Sequence, residues 1–310
     1  MSNGPILVTG SIRSGTTWVG RTLATAPGVA LIHEPFNLDH PTGVFTHRWS
    51  TQYTFLTGEA AESGPVARSL SDTLNFWYRP WSHLRNYESP TRTIGLIRDL
   101  PRFWFRRHVS RPRPLLKDPI ALFSAEWLFE RFDMDVVITI RHPAAFAWSY
   151  RRIAEPNRFT DLLCQEQLME GPLQAFRLEV ERAARSNDPI YQASILWRVL
   201  NATASGYRDR HPEWVMIRHE DLSIDPQRNF SELFARLDLS FGERTRRFIG
   251  RTTRKTNPTE SPGGKLHHLR RNSRDNVNVW RRRLLPEEVR RIRILTADVA
   301  DRFYAPSTWS

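Results

Sequence analysis

Nine residues near the start, Gly10-Ser11-Ile12-Arg13-Ser14-Gly15-Thr16-Thr17-Trp18, combine two glycines, four hydroxyls and a guanidinium. An apolar run, Ile6 to Thr9, precedes them, so the order is strand, glycine-bracketed turn, hydroxyl-rich helix start. Such a turn aims backbone N–H groups at one point, and the helix dipole adds partial positive charge there. An anion held at Gly15 to Trp18 is the expected chemistry. A triphosphate-hydrolysing loop needs G-x-x-x-x-G-K-[ST], and Thr16 stands where that lysine belongs. The strongest later strand ends in Arg141, where metal-dependent phosphoryl transfer needs a carboxylate. The residues are therefore short of metal ligands and rich in cations. They suit stabilisation of an already charged leaving group, and no metal is expected.

Positioning these residues requires a parallel sheet. Short β-like runs alternate with longer helical ones, the signature of an α/β fold with helices over a sheet. Strands are expected at Ile6 to Thr9, Val29 to Ile32, Pro114 to Lys117, Asp135 to Ile140 and Trp214 to Ile217. The unbroken β-branched run Asp135 to Ile140 predicts a strand buried on both faces. Helices are expected over Thr16 to Ala26, Ser124 to Phe132, from Pro143, Thr160 to Ser186 and Pro189 to Arg210. Further ones start at Asp225-Pro226, with Asp225 as N-cap, and run from Pro286 to Tyr304. The expectation is a three-layer, P-loop-like α/β fold of about five parallel strands, one domain over 1–310. Residues 41–113, irregular and aromatic with a helical patch at Pro65 to Trp77, read as a substrate cover. Residues 252–285 read as a basic segment over the ligand, and Thr252 to Asn276 within it as a loop.

Two of these stretches carry a resemblance. Ser11 to Trp18, "SIRSGTTW", resembles the 5′-phosphosulfate loop of sulfotransferases that use 3′-phosphoadenylyl sulfate (PAPS). Arg141-His142-Pro143-Ala144-Ala145-Phe146-Ala147-Trp148-Ser149 is similar to the family's second signature, a strand-end arginine with a serine eight positions later. The resemblance implies that Arg13, Ser14, Gly15, Thr16, Thr17 and Trp18 hold the 5′-phosphosulfate, and that Arg141 and Ser149 grip the ribose 3′-phosphate. A guanidinium fork suits a phosphate. His219-Glu220-Asp221-Leu222 is similar to a tyrosine-led run that frames the adenine, which implies a base contact for His219; Glu220 and Asp221 read as loop buttresses. The stretch holding Arg274, Trp280 and Arg281 lies where the family brings in a further 3′-phosphate ligand.

Sulfuryl transfer to a hydroxyl needs a base for the acceptor proton and positive charge at the departing phosphate oxygen. The cytosolic branch uses a histidine on the loop here written Leu116-Lys117-Asp118-Pro119, which has none. Carbohydrate-type and bacterial relatives place a glutamate after the second strand, which here implies Glu34 in Ile32-His33-Glu34-Pro35. That position is apt, because the carboxyl ends of neighbouring strands meet over the ligand crevice. His33 is the alternative base. Arg13 takes the place of the loop lysine and is assigned to the bridging oxygen; Lys117 reads as a surface residue that assists at most. The expected reaction passes a sulfuryl group from PAPS to a hydroxyl of a small-molecule, glycan or glycolipid acceptor. It releases adenosine 3′,5′-bisphosphate (PAP).

Composition bounds the alternatives. The 310 residues are 40% apolar with 11 tryptophans, ample for a core. No apolar run approaches the length of about 18 residues of a membrane span, no signal-like segment opens the chain, and the single Cys164 fits a reducing compartment. A cytoplasmic location is expected. The net charge of +12 concentrates at Arg98 to Arg113 and Arg270 to Arg293. It is compatible with attraction to nucleic acid, an anionic membrane or a multiply charged ligand, or with a merely solvated surface. A polyanion-binding protein and a small-molecule kinase with an altered loop are the competing readings. No nucleic-acid-binding motif supports the first, and the missing lysine and carboxylate oppose the second.

Overall fold

The computed structural model describes residues 4–40, 43–58, 64–85, 99–152, 158–260 and 269–309. Five strands form a single parallel sheet: β1 (Ile6–Gly10), β2 (Val29–His33), β3 (Arg113–Lys117), β4 (Asp135–Ile140) and β5 (Val215–Arg218), in the order β2-β3-β1-β4-β5. Central β1 pairs Ile6 with Leu115 of β3 and with Asp135 of β4. Its last residue, Gly10, faces Thr139, and a Cβ at Gly10 would lie 2.2 Å from the Thr139 carbonyl oxygen. Only glycine allows β1 and β4 to approach so closely at a φ of +134°.

Side-chain alternation sorts the strands into two cores. Ile6 and Val8 of β1, Leu115 of β3 and Val137 of β4 pack beneath helices Thr16–Leu23 and Pro226–Arg236. Leu7, Leu116, Val136 and Ile138 face the other way, into a larger core with Trp197 of helix Pro189–Arg210. Helices thus cover both faces, giving the three-layer α/β architecture expected from the alternating pattern. Because β1 lies between β3 and β4, the connections diverge there and open a crevice at the carboxyl ends of the strands.

Several boundaries differ from the expectations. Helix Thr16–Leu23 stops three residues early, because Thr25 and Ala26 donate to carbonyls only three residues back and the turn tightens. The stretch expected as one helix from Thr160 to Ser186 is broken into Phe159–Leu163, Glu166–Glu170 and Arg177–Arg185, with a 3-10 turn at Gln174–Phe176. Gly171 leaves helical geometry (φ −99°, ψ −110°), and Pro172 has no N–H to continue the ladder. The expected loop Thr252 to Asn276 contains the end of helix Glu243–Thr253 and most of helix Ser273–Val277. The latter is capped by Asn272, whose side chain accepts from Asp275 N at 3.3 Å; residues 261–268 lie outside the described residues. The final helix ends at Ala300 rather than Tyr304. Asp225 does cap its helix, accepting from Arg228 N. Among the described residues no helix is long and apolar enough to cross a membrane.

Candidate active site

The turn after β1 is set by two left-handed residues, Arg13 (φ 65°) and Gly15 (φ 96°). Gly15 starts helix Thr16–Leu23, which has no side-chain cap at its N-terminus. Its leading amides are therefore available to an anion. Ser14 Oγ braces the turn from behind, 2.6 Å from Thr139 Oγ1. Trp18 closes one side, its indole N–H donating to Thr252 Oγ1 at 3.2 Å.

Arg141 leaves the end of β4 and donates to the Arg13 carbonyl at 2.9 Å. Helix Pro143–Arg151 follows, and Ser149, two turns along, accepts from Arg13 Nε at 3.0 Å. The two stretches that looked alike in chemistry but distant in sequence are thus bonded to each other. From β2, Glu34 comes to the same cavity at a φ of 46°, and His219 comes from the end of β5. A cavity of about 360 Å³ results, reached by Arg13, Thr17, Glu34, Arg141, Ser149 and His219 together.

A model described as Sulfotransferase family matches residues 5–243, which include the loop, Glu34, Arg141, Ser149 and His219. The chain belongs to the sulfotransferase family. Solved structures similar to it include the sulfotransferase domain of an olefin synthase from Synechococcus PCC 7002 (16% identity, TM-score 0.49, 97% of this chain and 95% of that one). A sulfotransferase domain from the curacin biosynthetic pathway aligns over 95% and 97% of the two chains (14%, 0.47). A sulfotransferase from Alicyclobacillus acidocaldarius aligns over 100% and 99% (14%, 0.46). No curated protein matches the sequence.

Electrostatics in this sulfotransferase favour an anionic guest. Burial lowers the Arg141 guanidinium to about 10, against the pull of Glu220 and with the repulsion of Arg13 and Arg271 added. Arg271 is lowered for the same reasons, burial first and then Arg13 and Arg152. Four arginines, 13, 141, 152 and 271, therefore line one cavity with two carboxylates, Glu34 and Glu260. Both carboxylates are already paired: Glu260 with Arg152 and Arg283, Glu34 with Lys117. His219 is held neutral, its value lowered to about 3 by burial and by Arg141, against a hydrogen bond with Asn276 that favours the charged ring.

Lys117 is the clearest correction. It is fully buried at the end of β3, its stem packed against Gly20, and its ammonium pairs with Glu34. Burial raises the Glu34 carboxyl, but the Lys117 charge and hydrogen bond, with His33 and Asn37, outweigh it and hold Glu34 below its ordinary value. Asn37 Nδ2 donates to the second carboxylate oxygen at 3.1 Å. His33, with 40% of its side chain exposed, lies 4.0 Å from Glu34 and does not line the cavity.

Of the other residues singled out in sequence, Gly15, Thr16, Trp18 and Trp280 line the cavity. Arg274 donates instead to the Ile224 carbonyl, and Arg281 donates to the Thr308 carbonyl and lies over Trp280; neither lines it. Glu220 acts as a buttress, accepting from His142 N and the Tyr304 hydroxyl. Sequence reasoning passed over Arg152, Arg271, Ser273 and Asn276, which do line the cavity. Arg152 follows Ser149 by three positions, a spacing that shares a helix face and could have pointed to it. The others belong to the aperiodic C-terminal segment, whose path no local pattern predicts.

Proposed function

We propose that this sulfotransferase uses PAPS as donor and a hydroxyl as acceptor, with Glu34 as general base. The observation that carries the reading is a single cavity in which a capless helix start, Arg13 and Arg141 meet a carboxylate anchored by a buried lysine. The fit to a nucleotide with two anionic ends has specific support. Arg141 Nε and His219 Nδ1 are buried with no hydrogen-bond partner, so each has capacity left for a guest. A Cβ at Gly15 would sit 2.6 Å from His219 Nδ1, so the loop backbone and the imidazole share one tight corner.

Bound PAPS supplies the sulfuryl group and carries it on a phosphate that is a stable leaving anion. Gly15 to Trp18 and Arg13 would hold its phosphosulfate end; Arg141 and Ser149 would hold the 3′-phosphate; His219 and Trp18 would frame the base. Glu34, ionised through neutral pH, accepts the acceptor hydroxyl proton as the oxygen attacks. Arg13 holds the negative charge released on the phosphate oxygen. Lys117 fixes the carboxylate and keeps it ionised. Gln52, from residues 41–113, also lines the cavity, in keeping with that region as the acceptor-side cover of one catalytic unit spanning 1–310.

The test is Glu34→Gln assayed with radiolabelled PAPS over phenol, glycan and glycolipid acceptors. Turnover should fall by about 100-fold or more, as for loss of a general base, with PAP affinity nearly unchanged. Unaltered turnover of the best acceptor would remove Glu34 from the mechanism.

A further inference from the structure

A second arginine-lined concavity lies at the other end of β2 from Glu34. Arg21, Arg102, Arg106, Arg244 and Arg251 surround a cavity of about 480 Å³ beside Gly28 and Val29. Asp99 attracts Arg106, but five arginines against that one carboxylate leave the cavity strongly positive. Arg106 is set in place by stacking over Phe76 and Phe103.

The segment that carries Arg102 and Arg106 exposes large apolar side chains alongside its charged ones. Residues 99–105 are helical and continue into a π-helical turn at Arg106–Ser110. One side is anchored by buried Phe103, whose ring lies 5.4 Å from Tyr78 and 6.2 Å from Phe76. Leu100, Trp104 (60% exposed), Phe105 (52%) and Val109 (57%) of the same segment are turned to solvent. Trp77 and Trp81, the latter 74% exposed, belong to the neighbouring stretch, and Arg107 stacks over Trp77 at 3.5 Å. A surface helix normally turns its polar face outward. Six of the ten large apolar side chains exposed among the described residues belong to this one region, 77–109.

We propose that this face docks on an anionic lipid bilayer, with the aromatic side chains in the interfacial layer and the arginine cavity against lipid phosphates and carboxylates. The choice of occupant follows from charge and side-chain type. Tryptophan beside arginine suits the headgroup boundary, where an apolar ring and a polar edge are both solvated. The five clustered arginines are complementary to an anionic surface, and a net charge of +12 attracts the protein to it over a Debye length. No spanning helix is needed, since an interfacial segment lies in the plane.

Co-sedimentation of the full chain with phosphatidylcholine vesicles, and with vesicles also containing phosphatidylserine, tests this. The protein should bind the anionic vesicles, bind the neutral ones far less, and dissociate as salt is raised. Trp104→Ala combined with Phe105→Ala should weaken binding by about tenfold or more. Arg102→Ala combined with Arg251→Ala should weaken it by roughly 25-fold, at about fivefold per basic residue. None of these residues lines the catalytic cavity, and an unchanged circular-dichroism spectrum and melting temperature report that the variants fold. Absence of binding to anionic vesicles overturns the proposal, as does binding that the correctly folded aromatic variant retains in full. A dimer in sedimentation equilibrium that Trp104→Ala with Phe105→Ala dissolves, with no vesicle binding, assigns the face to a second copy of the chain instead.

Discussion

Glu34 and Arg13 are both non-glycine residues in left-handed backbone, at φ 46° and 65°. Each such residue costs on the order of 1–3 kcal/mol, a strain that persists where the surroundings over-determine it. For Glu34 those surroundings are Lys117, Asn37 and a backbone bond from Glu34 N to the Lys117 carbonyl at 2.9 Å. The pair also fixes a pH profile. A carboxyl held below its ordinary 4.5 is ionised at every pH above that, so the rate should be flat from pH 5 to 7 on the acid side. Lys117→Met removes the charge that lowers Glu34 and leaves the burial that raises it. The acid limb should therefore move up in pH, with a lower plateau from the displaced carboxylate. An acid limb in the ordinary imidazole range in the parent protein, unmoved by Lys117→Met, would point to His33 as the base.

At the scale of elements, the parallel strands were legible because burial on both faces leaves unbroken apolar runs, as in Val136 to Ile140. The phosphate-type loop was legible because glycine and hydroxyl spacing act locally. The ion pair of Lys117 was not, since it depends on β2 and β3 lying side by side with His33 opposite Lys117, a pairing 84 residues apart in sequence. Nor were the cavity contributions of Arg271 and Asn276, carried by a segment held through caps and carbonyl contacts rather than by a periodic apolar face. Gly15 joins the two kinds of information. Gly15→Ala places a methyl against the His219 ring and keeps a φ of +96° that alanine resists. We expect a loss of about 1–3 kcal/mol in denaturant unfolding and a marked loss of PAP affinity. A variant of full stability and full affinity would show that the loop is slack and does not shape the site.

Across the whole molecule, charge is divided between the two ends of one sheet. At the carboxyl ends of the strands, arginines from the β1 turn, the end of β4 and the C-terminal segment converge on the catalytic cavity. At the opposite end of β2, another set converges beside an aromatic face. Part of the +12 balance is thus concentrated in two places, four arginines against two glutamates in the first cavity and five arginines in the second. The central claim concerns the first of these, that the β1 loop and Arg141 form a two-ended nucleotide site. Titration calorimetry with PAP and with AMP, which lacks the 3′-phosphate, tests it most directly. The parent protein should bind PAP with a Kd on the order of micromolar and AMP far more weakly. Arg141→Ala should weaken PAP by about 10- to 100-fold, the worth of a hydrogen bond to a charged group, and leave AMP nearly unaffected. Equal affinity for PAP and AMP in the parent protein, or no binding of either, would contradict the account.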